Sequence, residues 1–372
     1  MSSRTPVAGS QAHSVRYPEI DVAKGIAILC VLLIHAEPLA GNLVHEYLFN
    51  RAVPVLLVLF GAASELWWHR ACPSSSALGC GLRFVRARMS RLLPPVWAAL
   101  GVWWGLRLIA SPAAAPEPAW LVPHALGYIP QVGTGWFVTL IVQLVLCYPL
   151  LRWLLVRCGV AMSLLLTAAI HAWSQLYVFD VVDLMRGALQ DSAHMHGFFV
   201  FYYSWIFAPA RLLLVLSGML LARCALRPSR GVLLLCAAAW ALGCFTHPHL
   251  TDRVQQSALL SVLDVPLALL WLLAARAAHH LAGAALLGWL GRESWGVYLG
   301  QLLVHTSAGL LGYEVLRQPV TGRFAYAGLL LAGGMSWVLL GDAVRALTRS
   351  EPQPAPEPAE PRLADAGEPP AS

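Results

Sequence analysis

The apolar positions of this chain gather into long blocks separated by short polar ones. They show neither the strict alternation of half-buried strands nor the one-sided stripe of soluble amphipathic helices. Ten blocks approach twenty residues, near 21–40, 47–68, 92–110, 134–156, 160–178, 199–221, 231–248, 255–277, 294–312 and 324–346. About 20 apolar residues cross roughly 30 Å of hydrocarbon as a helix. Backbone in lipid must satisfy its own hydrogen bonds, so each block predicts a helix. No repeat at a fixed period is visible. The expected fold class is an all-α polytopic membrane protein of about ten transmembrane helices.

Composition agrees. The chain is 58% hydrophobic and only 12% charged, where a soluble domain carries about 25% charged residues. Its fifteen tryptophans suit membrane interfaces. The net charge of +6 reads as a topological bias, so no nucleic-acid partner is expected. With the N-terminus inside, 18 of the 25 basic residues fall on inner segments and 7 on outer ones. That split predicts both termini cytoplasmic. Some twenty polar residues precede the first block, which reads as an uncleaved span rather than a signal peptide. The expected layout is a cytoplasmic segment 1–18, a transmembrane domain 19–347 and a disordered cytoplasmic tail 348–372, rich in Pro, Ala and Glu. The eight cysteines form no CxxC pair, so neither a disulfide framework nor a metal site is expected. His194-x-His196 and His247-x-His249 fall in predicted outer loops without a set ligand geometry.

The first block, "EIDVAKGIAILCVLLIHAEPLA", holds the first candidate chemistry. Lys24 is the single lysine of the chain, and His35 lies deep in the block. Eleven residues at 100° each leave these two about 20° apart on one helix face, with about 16 Å of axial rise between them. Asp21 falls close to the same stripe. Lys24 then stands at the cytoplasmic entrance and His35 past the midplane. A packed, hydrogen-bonded histidine is the plain alternative. Ionisable groups within a membrane are costly, however, and mark function, and imidazole suits proton transfer near neutral pH.

The stretch "RYPEIDVAKGIAILCVLLIH" resembles the opening of the acyltransferase family 3 membrane proteins, whose first span carries a basic residue separated by ten residues from a histidine. Here that pair is Lys24 and His35. The resemblance covers residues 16 to 346. "LFNRAVPVLLVLFGAASEL" resembles the family's second span and places Arg51 near the outer side. "RMSRLLPP" resembles its Arg-x-x-Arg segment, with Arg88 and Arg91. Guanidinium forks grip phosphate, although arginines in a cytoplasmic loop also serve anionic lipid. "GTGWF" resembles the family's Trp-Phe span, and "YYSWIFAPARLLLVLSGMLLAR", with Arg211 and Gly218, a later one. "GRESWGVYLGQLLVH" resembles a segment in which the family has a histidine where Gln301 stands. Here the histidine comes at His305, and no role is carried over to it.

The resemblance implies a membrane O-acyltransferase of the bacterial inner membrane. It moves acetyl from cytoplasmic acetyl-CoA, a substrate and not a bound cofactor, to a sugar hydroxyl of a lipid-linked or polymeric glycan such as an exopolysaccharide or O-antigen unit. His35 is then the expected catalytic residue, as general base or as transient acetyl carrier. Lys24, Arg88 and Arg91 are expected to bind acyl-CoA. Asp21, Arg51, Arg211 and Asp264 are expected on the acceptor side or in support, Asp264 pairing with His35 or Arg211. Glu65 reads as an interfacial residue near an inner end. Membrane lipids are the remaining expected partners. The rival class is a transporter or flippase with a proton-relaying His35, which predicts no dependence on acetyl-CoA; a scaffold with a relict site is a third.

Overall fold

A computed structural model describes residues 17–37, 42–72, 77–110, 121–127, 129, 135–188, 207–224, 229–249, 253–278, 280–311 and 320–349. The expected terminal segments therefore lie almost entirely outside the described residues, as do His194 and His196. Every regular element described is helical. Five helical stretches, Leu43–Ala71, Leu78–Ala110, Trp136–Ser174, Arg230–His249 and Thr321–Leu347, are long and apolar enough to cross a membrane. The described helices overlap all ten expected segments. Ten crossings and the sidedness of the termini remain expectations from sequence.

The chain enters α1 (Pro18–Ala36) with a proline in the first turn, where a missing N–H costs nothing. A short α2 (Leu43–Tyr47) and a 3-10 turn (Phe49–Arg51) lead into α3 (Ala52–Ala71). Next come α4 (Ala77–Ala110), α5 (Leu121–Ala125) and α6 (Trp136–Ala188). A second 3-10 turn (Ala208–Arg211) opens α7 (Leu212–Arg223), followed by α8 (Arg230–Thr246) and α9 (Arg253–Ala278). The last elements are α10 (Ala284–Arg292), α11 (Ser294–Leu311) and α12 (Val320–Arg349).

Three features differ from expectation. The basic segment 82–91 is not a loop. It is the first half of α4, which continues through Pro94 and Pro95, because prolines in apolar helices are tolerated where neighbours re-satisfy the freed carbonyls. Spans four and five join within α6, broken only at Gly159, whose φ of 77° no helix interior accepts and glycine alone adopts cheaply. Finally, α10 has no counterpart in the expected spans, since nine residues cannot cross a bilayer.

Cys72 and Cys80 form a disulfide between the end of α3 and the start of α4, where none was expected. The two cysteines are eight positions apart, and their Cα atoms lie 6.0 Å from each other, within bridging range. A reducing compartment would hold this pair as thiols.

The two most extensive pairings are α1 with α10 and α3 with α7. Both rest on glycine. A side chain at Gly25 would strike the Leu287 carbonyl, and one at Gly291 the Asp21 carbonyl. Gly61 lies against the Val215 carbonyl and Gly218 against that of Val58. Lipid offers no hydrophobic drive between helices, so such close backbone approach supplies the packing. One apolar core runs through α1, α3, α4, α6, α7, α9 and α11. A smaller cluster of Leu32, Ala36, Ala308, Tyr326 and Leu330 lies beside the last turn of α1.

Candidate active site

His35 lies in the last turn of α1, half-buried. The helix ends at Glu37, whose left-handed φ of 50° lets its N–H reach the Leu33 carbonyl. Arg323 of α12 donates to the Glu37 carbonyl at 2.8 Å, which ties this end of α1 to α12. Glu37 itself is exposed.

Two side chains of α11 face the imidazole. Gln301, fully buried, places Oε1 3.4 Å from His35 Nδ1. His305, one turn further on, sets its ring 5.4 Å from that of His35, tilted by 38°. His305 Nδ1 lies 2.9 Å from the Tyr326 hydroxyl of α12. An amide oxygen only accepts. The contact is therefore a hydrogen bond for the Nδ1–H tautomer of His35. The Gln301 Nε2 amide is buried without a hydrogen-bond partner among the described residues. Sequence reasoning missed this pair as a unit. The signal was present in the i, i+4 spacing of Gln301 and His305, which puts both on one helix face.

A second polar group joins α3, α7 and α9. Arg51 Nη1 lies 3.4 Å from Asp264 Oδ1, and Arg211, at the end of its 3-10 turn, stands in electrostatic contact with the same carboxylate. Asp264 is 1% exposed. Asp264 thus meets Arg51 first and Arg211 second, and its ion pair is not with His35. Its Oδ2 and the Nε of Arg51 are buried without hydrogen-bond partners among the described residues. Nearby, Tyr47 OH lies 2.8 Å from His247 Nδ1.

Lys24 and Asp21 are half-buried on α1, about 16 Å of helix rise from His35 in the case of Lys24. Arg91 is exposed and Arg88 half-buried. The Arg88 guanidinium sits 5.4 Å over the Phe84 ring, and Phe84 stacks on Tyr148 at 4.6 Å.

That stack leads to Glu65, which is 0% exposed and not the solvated interfacial residue expected. Tyr148 OH donates to Glu65 Oε2 at 2.7 Å, and Arg152 Nε lies 3.3 Å from the same oxygen. Arg223 reaches Oε1 through Nε at 2.9 Å and Nη2 at 2.9 Å, with His69 Nε2 at 3.1 Å. Arg152 also lies 4.6 Å over Trp68. Helix geometry separates the two polar layers. Arg51 and Glu65 are about 21 Å apart along α3, and Arg211 and Arg223 about 18 Å apart along α7.

The acyltransferase-domain family model, acyltransferase family 3, matches residues 17–340, from the residue before α1 into α12. No curated protein and no solved structure matches the chain. A match across both polar layers and nearly every described helix shows that the chain belongs to acyltransferase family 3 and is a membrane acyltransferase.

Proposed function

We propose that this protein transfers acetyl from cytoplasmic acetyl-CoA to a sugar hydroxyl of a lipid-linked or polymeric glycan, across a bacterial inner membrane, with ten crossings and both termini inside. One observation carries the reading. His35 meets Gln301 and His305 at one end of α1, while Arg88 lies over Phe84, whose stack on Tyr148 leads to the arginines around Glu65. A thioester donor has the same two ends, a phosphate-bearing nucleotide and a reactive acyl group. Arg88, Arg91 and Lys24 bind the phosphates on the cytoplasmic side, and the pantetheine arm runs beside α1 toward His35.

The chemistry follows from the tautomer. With Nδ1–H directed at Gln301 Oε1, His35 Nε2 removes the proton of the acceptor hydroxyl as its oxygen attacks the thioester carbonyl. The new C–O ester bond forms, the C–S bond breaks, and the thiolate leaves with the proton returned by the imidazolium. Gln301 is neutral, so it orients the ring without anchoring a lasting positive charge. That arrangement favours a general base over an acetylated histidine. Asp264, with Arg51 and Arg211, offers hydroxyl-binding groups at the acceptor end, because a sugar hydroxyl both donates to a carboxylate and accepts from a guanidinium. Asp21 supports the cytoplasmic end of α1.

The test is the O-acetyl content of surface glycans in a deletion strain complemented with wild type or His35→Ala. Wild type restores a missing ester and the variant, equally expressed, does not. Restoration by both would remove His35 from the mechanism. No ester change on deletion would favour a transporter for lipid-linked glycan or solute instead.

A further inference from the structure

The layer around Glu65 has a charge imbalance that its own carboxylate does not resolve. Two arginines, Arg152 of α6 and Arg223 of α7, converge on one carboxylate from α3, and a third, Arg88 of α4, lies over the Phe84 ring that stacks on Tyr148. Both oxygens of Glu65 are already engaged, Oε1 by Arg223 and His69 and Oε2 by Tyr148 and Arg152. The open atoms on the arginines of this layer are donors. Arg88 Nε is buried and has no hydrogen-bond partner among the described residues. Arg152 Nε lies close to Oε2 but out of line for a hydrogen bond, so its N–H points past the carboxylate. Tyr148, Phe84 and Trp68 wall the cluster with rings, which lowers the local dielectric and raises the cost of unbalanced charge.

We propose that Arg88, Arg152 and Arg223 form a binding site for a phosphoryl anion, with Glu65 as the positioning residue that holds Arg152 and Arg223 in place. Excess positive charge, donors pointing past a saturated carboxylate and guanidinium forks from separate helices suit an anion rich in acceptor oxygens. A neutral ligand would leave the charge standing. Arg152 and Arg223 thereby join Arg88 in the donor's phosphate contacts, an extension that rests on the proposed acyl-CoA reading. The same chemistry belongs to the headgroup of an anionic phospholipid.

The experiment separates the two sources. Purified protein in neutral phosphatidylcholine nanodiscs is titrated with coenzyme A, as wild type, Arg152→Gln, Arg152→Lys and Arg223→Gln. In parallel, the thermal shift given by phosphatidylglycerol is recorded. The expected result is about tenfold weaker coenzyme A binding for each glutamine variant, partial recovery in Arg152→Lys, and displacement of coenzyme A by inorganic pyrophosphate in wild type. Unchanged coenzyme A binding with loss of the phosphatidylglycerol shift supports the site with a lipid headgroup as its occupant. If neither changes in Arg152→Gln or Arg152→Lys, the arginines serve Glu65 alone and the proposal falls. Arg152→Lys keeps the charge, so it remains informative should Arg152→Gln fail to fold. The binding assay needs no acceptor, so its failure is distinct from failure of the glycan-acylation reading, which only the ester analysis addresses.

Discussion

The two polar layers are built from the same parts and leave different things open. Each sets a buried carboxylate against two arginines, Asp264 with Arg51 and Arg211, and Glu65 with Arg152 and Arg223. At the Asp264 end two buried atoms, the donor Arg51 Nε and the acceptor Asp264 Oδ2, have no hydrogen-bond partner among the described residues. At the Glu65 end the unmatched guanidinium atoms, Arg88 Nε and Arg152 Nε, are both donors. A hydroxyl satisfies the first pattern and an anion the second. Similar ion pairs can thus prepare two ends of one bundle for different halves of a reaction, because unsatisfied atoms, rather than the pairs themselves, define what is still to be bound.

The largest effect expected to sharpen this comparison is at His35. His35→Ala should lower kcat by about 10²–10⁴-fold while leaving coenzyme A binding unchanged, as read by steady-state kinetics and titration on the same preparation. An equal loss of binding would merge the two layers into one site. Next comes Glu65→Gln, which leaves half-buried Arg152 and partly exposed Arg223 without their counter-charge. It should cost about 3–5 kcal/mol, visible as a lowered melting temperature in detergent, and should weaken coenzyme A binding. Asp264→Asn should destabilise less, by about 1–3 kcal/mol, because Asp264 makes one ion pair at 3.4 Å where Glu65 accepts from Tyr148 and Arg223 and also meets Arg152 and His69. The same assay should show coenzyme A binding intact. Tyr326→Phe is the mildest. It removes one hydrogen bond to His305, worth about 1 kcal/mol, or about a fivefold fall in kcat. A fall beyond 10²-fold would instead place Tyr326 among the reacting groups.

Part of this arrangement was legible in the chain. The Lys24–His35 spacing fixes a shared helix face from arithmetic alone, and apolar block length marks where helices run. Gln301 and His305 were legible as a pair on one face, but not as neighbours of His35, because 266 positions separate Gln301 from it. Glu65 was misjudged for a similar reason. Near the end of an apolar block, a glutamate reads as solvated. Its burial depends on Tyr148 and Arg223, 83 and 158 positions away, and no local pattern encodes such meetings. α10 escaped because a nine-residue helix gives no span signal; its place is set by the glycine contacts with α1. The Cys72–Cys80 link was missed because the spacing of two cysteines does not reveal how the intervening chain turns.

The glycine-sealed pairing of α3 and α7 has a consequence for acyl-group choice. These two helices and the 3-10 turns that lead into them carry residues of both layers, Arg51 and Glu65 on one and Arg211 and Arg223 on the other. Held together by backbone contact at Gly61 and Gly218, they act as a ruler laid across the membrane. On the proposed reading, with the donor's phosphates anchored at one mark and the acceptor hydroxyl at the other, the reach of the thioester is fixed by a length rather than by the shape of an acyl pocket. Substrate size would then be read as a distance, and a longer acyl chain would have to find room beyond the mark where the short one reacts.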